Sequence, residues 1–167
     1  MHSAIAVANY FIRKAQQEEQ PITLLQLLKL TYIAHGWHLA VLNRALFEER
    51  VKAWQYGPVI PAVYHEFKRY GSGPISQVGM ITDAWSGART VPDEQLEPDT
   101  RDVLDRVWIA YRHFTAAQLV HITHQDDSPW KQCYEGPTES PTIPEGLIKS
   151  HFQNKASANQ AAEAVSP

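Results

Sequence analysis

Cysteine is almost missing from this chain: Cys133 stands alone in 167 residues, so no internal disulfide can form and the disulfide-stapled scaffolds are excluded. Charge of either sign is not in surplus, with 15 Lys and Arg against 18 Asp and Glu, a net charge of -3. The basic groupings are Lys68-Arg69 and Arg101, Arg106 and Arg112, the last three interleaved with acids. Direct nucleic-acid binding through bulk charge is therefore not expected. A long pure apolar run is lacking too. The best candidate, Thr23 to Asn43, contains Gln26, Lys29, His35 and His38, each costly in hydrocarbon, so no membrane contact is expected. The opening residues do not form a secretory leader and no repeat recurs, which points to a cytoplasmic protein and away from a solenoid. The glycines are scattered, mostly at turns, with no Walker loop, dinucleotide fingerprint or Gly-x-Ser-x-Gly elbow among them.

What the chain does have is a stretch that is apolar nearly all round. Between Thr23 and Asn43, Leu24, Leu28 and Leu42 fall on one helical face, Leu25, Tyr32 and Leu39 on a second, and Leu27, Leu30, Ala34, Trp37 and Val41 on a third. Such a helix belongs inside a protein, wrapped by other elements. Thr23 is placed to cap its start and Asn43 to turn the chain out of it. At 44% hydrophobic residues the chain closes one core, so the expected fold is an all-α, compact single-domain bundle around a buried central helix at about 24–43.

The other elements follow in order. Ile5, Ala8, Phe11, Ile12 and Ala15 give an amphipathic helix capped by Ser3. A short extended arm or β-hairpin is expected near 46–54. Pro61 opens a helix with Val63, Tyr64, Phe67 and Tyr70 as its stripe and Gly71 as its stop. Ser72 to Pro98 is loop-like, with Trp85 in it and few apolar neighbours beside it. Helices are expected again over Asp99–Phe114, from Thr115 to His124, from Ser128 to Tyr134, and over Glu145–Phe152. The Ala-, Ser-, Asn- and Gln-rich remainder predicts a division into a domain at 1–153 and a flexible tail at 154–167.

Candidate chemistry is thin. His35 and His38 stand three apart on one helix, as do His121 and His124, so a metal site or metal-dependent hydrolase built from the four is one reading. The zincin pattern is absent, and half-buried, hydrogen-bonded histidines are the simpler account. Cys133 has no electropositive signature around it, Ser128 is placed as a helix cap, and Glu48-Glu49 and Asp126-Asp127 are adjacent rather than helically spaced. No enzyme and no cofactor are expected. The 5 Trp and 7 Tyr are the richer vein, since both residue types anchor protein interfaces, and Tyr56, Tyr64, Tyr70 and Trp85 lie beside the one sharp turn and the one long loop. A binding module is the class the residues favour.

Four ordered motifs carry a resemblance. Ala8-Asn9-Tyr10-Phe11, Leu27-Leu28-Lys29-Leu30-Thr31-Tyr32-Ile33-Ala34-His35-Gly36-Trp37, Ala53-Trp54-Gln55-Tyr56-Gly57-Pro58-Val59-Ile60-Pro61-Ala62-Val63-Tyr64 and Thr123-His124-Gln125-Asp126-Asp127-Ser128-Pro129-Trp130 resemble the Panacea domain, the SocA-like antitoxin or phage-associated GepA-like family, over about residues 4 to 152. The resemblance implies a helical cytoplasmic protein of bacteria or their prophages that neutralises a cognate toxin by binding it, some members passing the toxin to a protease. A prophage protein of another role is the variant within the same family. The residues most like the motif are Trp54, Tyr56, Gly57, Pro58, Tyr64, His124 and Trp130; with Trp85 they form the expected partner-binding set. Within it Gly57 and Pro58 are expected to fix a turn and Trp130 to pack, leaving Tyr56, Tyr64 and Trp85 to touch the partner.

Overall fold

A computed structural model describes residues 2–92 and 95–165. Helix α1, Ala4–Gln17, starts where the Ser3 hydroxyl accepts from the Ala6 amide. Helix α2, Leu24–Leu42, starts in a capping box: the Thr23 hydroxyl accepts from the Gln26 amide and the Gln26 side chain accepts from the Thr23 amide. It ends at Asn43, which adopts a left-handed φ of 55°. Five helices follow: α3 (Pro61–Phe67), α4 (Pro98–Tyr111), α5 (Ala116–Thr123), α6 (Pro129–Cys133) and α7 (Glu145–Val165). The sequence signals at the starts of α3, α5 and α6 are used as expected, with proline in the first turn of α3 and α6 and side-chain caps from Thr115 and Ser128, while α4 takes Pro98, read as the end of the loop, into its first turn.

Helix α2 is the axis of the fold. It packs most extensively against α7, then α4 and α1, and also meets α3 and α5. Leu27, Leu30, Ile33 and Ala34 are at or near zero exposure, and full burial of each large side chain contributes about 1.5–3 kcal/mol. The closest approach is at Gly36: a Cβ there would lie 2.2 Å from the Phe152 ring of α7, so only glycine lets the two helices meet so tightly. Among the described residues no helix is long and apolar enough to cross a membrane.

The mostly helical expectation is borne out, with three local differences. The hairpin lies later than 46–54, pairing β1 (Lys52–Trp54) with β2 (Gly57–Val59). Trp54 pairs with Gly57, leaving Gln55 and Tyr56 as the turn. Where the sequence predicts only loop between Ser72 and Pro98, a second hairpin joins β3 (Ile81–Thr82) to β4 (Arg89–Thr90). Both its strands are exposed, so they carry no alternating apolar signal to read. The last helix does not stop at Phe152 but continues to Val165, exposed from Ser157 to Ala164, where frequent alanine favours the helix without help from packing.

Candidate partner-binding cleft

The sharp turn of the β1–β2 hairpin is locked from beneath. Gly57 has φ of 106°, and a Cβ there would come within 2.7 Å of Lys29 Nζ and 3.0 Å of His124 Nε2. Glycine is required on both counts. Lys29 is fully buried, and its ammonium donates to the Pro58 carbonyl at 3.1 Å. Burial alone pulls its pKa down to about 7.

Behind the turn stand three stacked rings. His124 lies flat on Trp130 at 3.7 Å between centroids and 8° between planes, and Trp130 stacks on Tyr134 at 4.7 Å. The Trp130 indole donates to the Trp54 carbonyl at 2.7 Å, tying the stack to β1. Burial lowers the His124 pKa, the nearby Lys29 charge adds to this, and the Tyr56 backbone opposes it.

On its other edge β1 is held by a segment distant in sequence. Ala53 N–H donates to the Pro141 carbonyl and Ile143 N–H to the Val51 carbonyl, both at 2.9 Å, while Lys52 Nζ donates to the Thr142 hydroxyl at 2.8 Å. The Trp54 indole donates to the Ser140 hydroxyl at 2.8 Å. This segment, the hairpin, the start of α2 and Tyr64 of α3 enclose an open cleft of about 630 Å³. Leu24, Leu25, Leu28 and Val59 make it apolar, and Trp54 meets Tyr64 edge-on at 5.0 Å. Tyr56 rises at its rim, 65% exposed.

The fold thus gathers Trp54, Tyr56 and Tyr64 at one cleft, with His124 and Trp130 as its backing; Gly57 and Pro58, expected to fix the turn themselves, instead open β2, paired with Trp54 and Ala53, and the turn is made by Gln55 and Tyr56. Trp85 is elsewhere, at the tip of the β3–β4 hairpin and 98% exposed. That hairpin is fastened to α3 rather than to the cleft: Arg89 pairs with Glu66 at 2.8 Å, and Glu66 also accepts from the Met80 amide at 2.9 Å. The sequence reading missed Lys29 and the wall at 137–140. A lysine set among leucines in the most apolar helix was the one local signal for the former; the wall is a long-range pairing with no local signal.

The four histidines are not gathered into one site. Among the described residues no three His, Cys, Asp or Glu side chains are placed to hold a metal ion, and His38 already has both ring nitrogens engaged, by the Arg44 carbonyl and the Thr100 hydroxyl. Burial raises the Cys133 pKa, with Glu135 adding to the rise, which leaves the thiol protonated and poorly nucleophilic.

Residues 27–131 match the family described as Antitoxin SocA-like, Panacea domain. The chain is 34% identical to a protein named Antitoxin SocA from Caulobacter vibrioides (strain NA1000 / CB15N), over 134 residues that make up 80% of this chain and 71% of that protein. No solved structure matches the chain.

Proposed function

This chain belongs to the SocA-like antitoxin family marked by the Panacea domain, and from that premise we propose that it is an antitoxin that neutralises a toxin protein by holding it at the Trp54–Tyr56–Tyr64 cleft. Family membership points to a non-catalytic, regulatory role. The observation that carries the choice of surface is the exposure of Tyr56 on a turn whose next residue, Gly57, is seated against Lys29 and His124. An exposed aromatic held on a tight turn beside an apolar hollow gains buried area on binding, which is how interface anchors work. Trp85, carried on its own hairpin, is proposed as a second contact outside the cleft. Within the proposed division, residues 1–153 form the binding domain and 154–167 an appended segment. The site of action is the cytoplasm, and a cytoplasmic protease that removes the captured toxin is the second proposed partner.

The test is co-expression with the adjacent open reading frame, scoring growth rescue and co-purification together. Rescue with a stable complex that Tyr56→Ala loses, while the variant stays folded, supports both role and surface. Rescue that survives both Tyr56→Ala and Trp85→Ala moves the surface elsewhere. A harmless neighbour with nothing co-purifying removes the antitoxin reading itself. Toxin half-life with and without this chain then decides whether the toxin is held or degraded.

A further inference from the structure

Helix α2 carries His35 and His38 three residues apart, and the fold treats them oppositely. His38 has both nitrogens satisfied, Nδ1 by the Arg44 carbonyl at 2.8 Å and Nε2 by the Thr100 hydroxyl at 3.0 Å. His35 is 1% exposed and stacked on Phe47 at 4.2 Å, yet neither of its nitrogens has a hydrogen-bond partner. It borders a cavity of about 260 Å³, separate from the aromatic cleft, that Glu49, Arg50, Thr142 and Glu145 also line.

Glu49 repeats the pattern. Its Oε1 accepts from the Ala4 amide at the start of α1 at 2.9 Å, while its buried Oε2 has no partner. Of the four buried side-chain atoms without a partner among the described residues, three belong to these two side chains. Burying such atoms unpaired is costly, so their convergence on one hollow marks it as built for a polar occupant. Glu145 Oε1 stands 3.8 Å from His35 Nε2, too far to bond it and near enough to share a guest.

The donor set selects the guest. Burial, with His38 nearby, holds the His35 pKa at about 4, so the ring is neutral and offers an acceptor nitrogen. Glu48, Glu49 and Glu145 outnumber Arg50 around the cavity. These side chains are not placed to close on a metal ion. An ammonium has three donors and no acceptor, and three of the residues that line the cavity, His35, Glu49 and Glu145, carry acceptors. We propose that this cavity binds a primary alkylammonium group, with Glu49 Oε2 and Glu145 as its charged acceptors and the His35 ring as the third. The chemistry is the same whether the group belongs to a free polyamine or to a lysine side chain of a bound protein.

The test titrates the full chain with butylammonium chloride and follows the His35 ring by NMR, against sodium chloride at equal ionic strength and against butanol. A saturable shift with butylammonium alone is expected, weakened roughly tenfold or more in Glu49→Gln and in Glu145→Gln. Glu49→Gln keeps the oxygen that accepts from Ala4; should it still unfold, Glu145→Gln, at an exposed side chain, carries the test. Spermidine and Nα-acetyl-lysine methylamide, compared in the same assay, distinguish the two sources by which binds more tightly. A response to sodium chloride or butanol equal to that to butylammonium overturns the proposal. So does a response to zinc chloride with none to butylammonium, or a crystal structure in saturating butylammonium that shows only water between His35 and Glu49.

Discussion

The aromatic cleft and the His35 cavity are neighbours that share a wall, since residues 137–140 line the first and 142–145 the second. They are finished differently. In the cleft the indole N–H groups of Trp54 and of the Trp130 behind it are both spent inside the protein, on Ser140 and on the Trp54 carbonyl, and among the described residues only the buried Nε2 of His124 in the backing lacks a partner, so a visitor meets chiefly apolar area with polar groups at its edge. In the cavity the polar atoms are left unspent. The difference teaches that local saturation of hydrogen bonds, rather than size, decides what a hollow can select.

That contrast extends to pH, where the largest effect is expected. Lys29, beneath the cleft, has its pKa lowered from 10.5 to about 7, so between those values the unfolded chain holds a proton that the folded chain does not. Stability therefore rises with pH from about 7 toward 10, by roughly 4 kcal/mol at most, before the buried phenols, raised above their ordinary value, reverse it. Urea denaturation across that range should show the rise in the native chain and its loss in Lys29→Met. An unchanged slope in the variant would mean that the amine is not desolvated as described.

Next in size is Gly57→Ala, which forces a side chain into φ of 106° and against Lys29 and His124. A loss of about 3 kcal/mol is expected by chemical denaturation. A loss below about 0.5 kcal/mol would show that the turn is not locked.

The cavity should respond on the acid side instead. The His35 pKa is lowered from 6.5 to about 4, so its contribution is complete above 6.5 and is lost as pH falls toward 4. The loss is on the order of 3 kcal/mol, and the difference in acid slope between the native chain and His35→Phe isolates it from the other lowered histidines, His38, His124 and His151. Smallest in stability is Tyr56→Ala at the exposed rim. We expect less than about 0.5 kcal/mol on folding but about 2 kcal/mol on toxin binding, measured by calorimetry on the co-purified pair.

Much of the helical frame was legible because its signals are local. Ser3, Thr23, Thr115 and Ser128 each cap the helix their position suggested, and the apolar circumference of α2 foretold its burial. The hairpin register was not, because it depends on Gly57 lying against two side chains from other elements, Lys29 and His124. The cleft was half legible: its aromatic members sit close in sequence, whereas the 137–140 wall is brought in by pairing across some 90 residues. Trp85 was legible as exposed and not as separate from the cleft. For the histidines the spacing was plain and the distinction invisible, since Arg44 and Thr100 rescue one of them and nothing rescues the other. Glu48-Glu49 read only as adjacent acids, yet Glu49 reaches the start of α1 and lines the His35 cavity.

The tight seat of Phe152 against Gly36 sets a timetable for the newborn chain. Synthesis delivers the apolar axis α2 roughly a hundred residues before its most extensive cover, α7, so for that interval a helix apolar on every side waits with one flank bare. Bare apolar surface is what holding chaperones and proteases recognise, so the arrival of Phe152 at Gly36 closes the flank on which both would act.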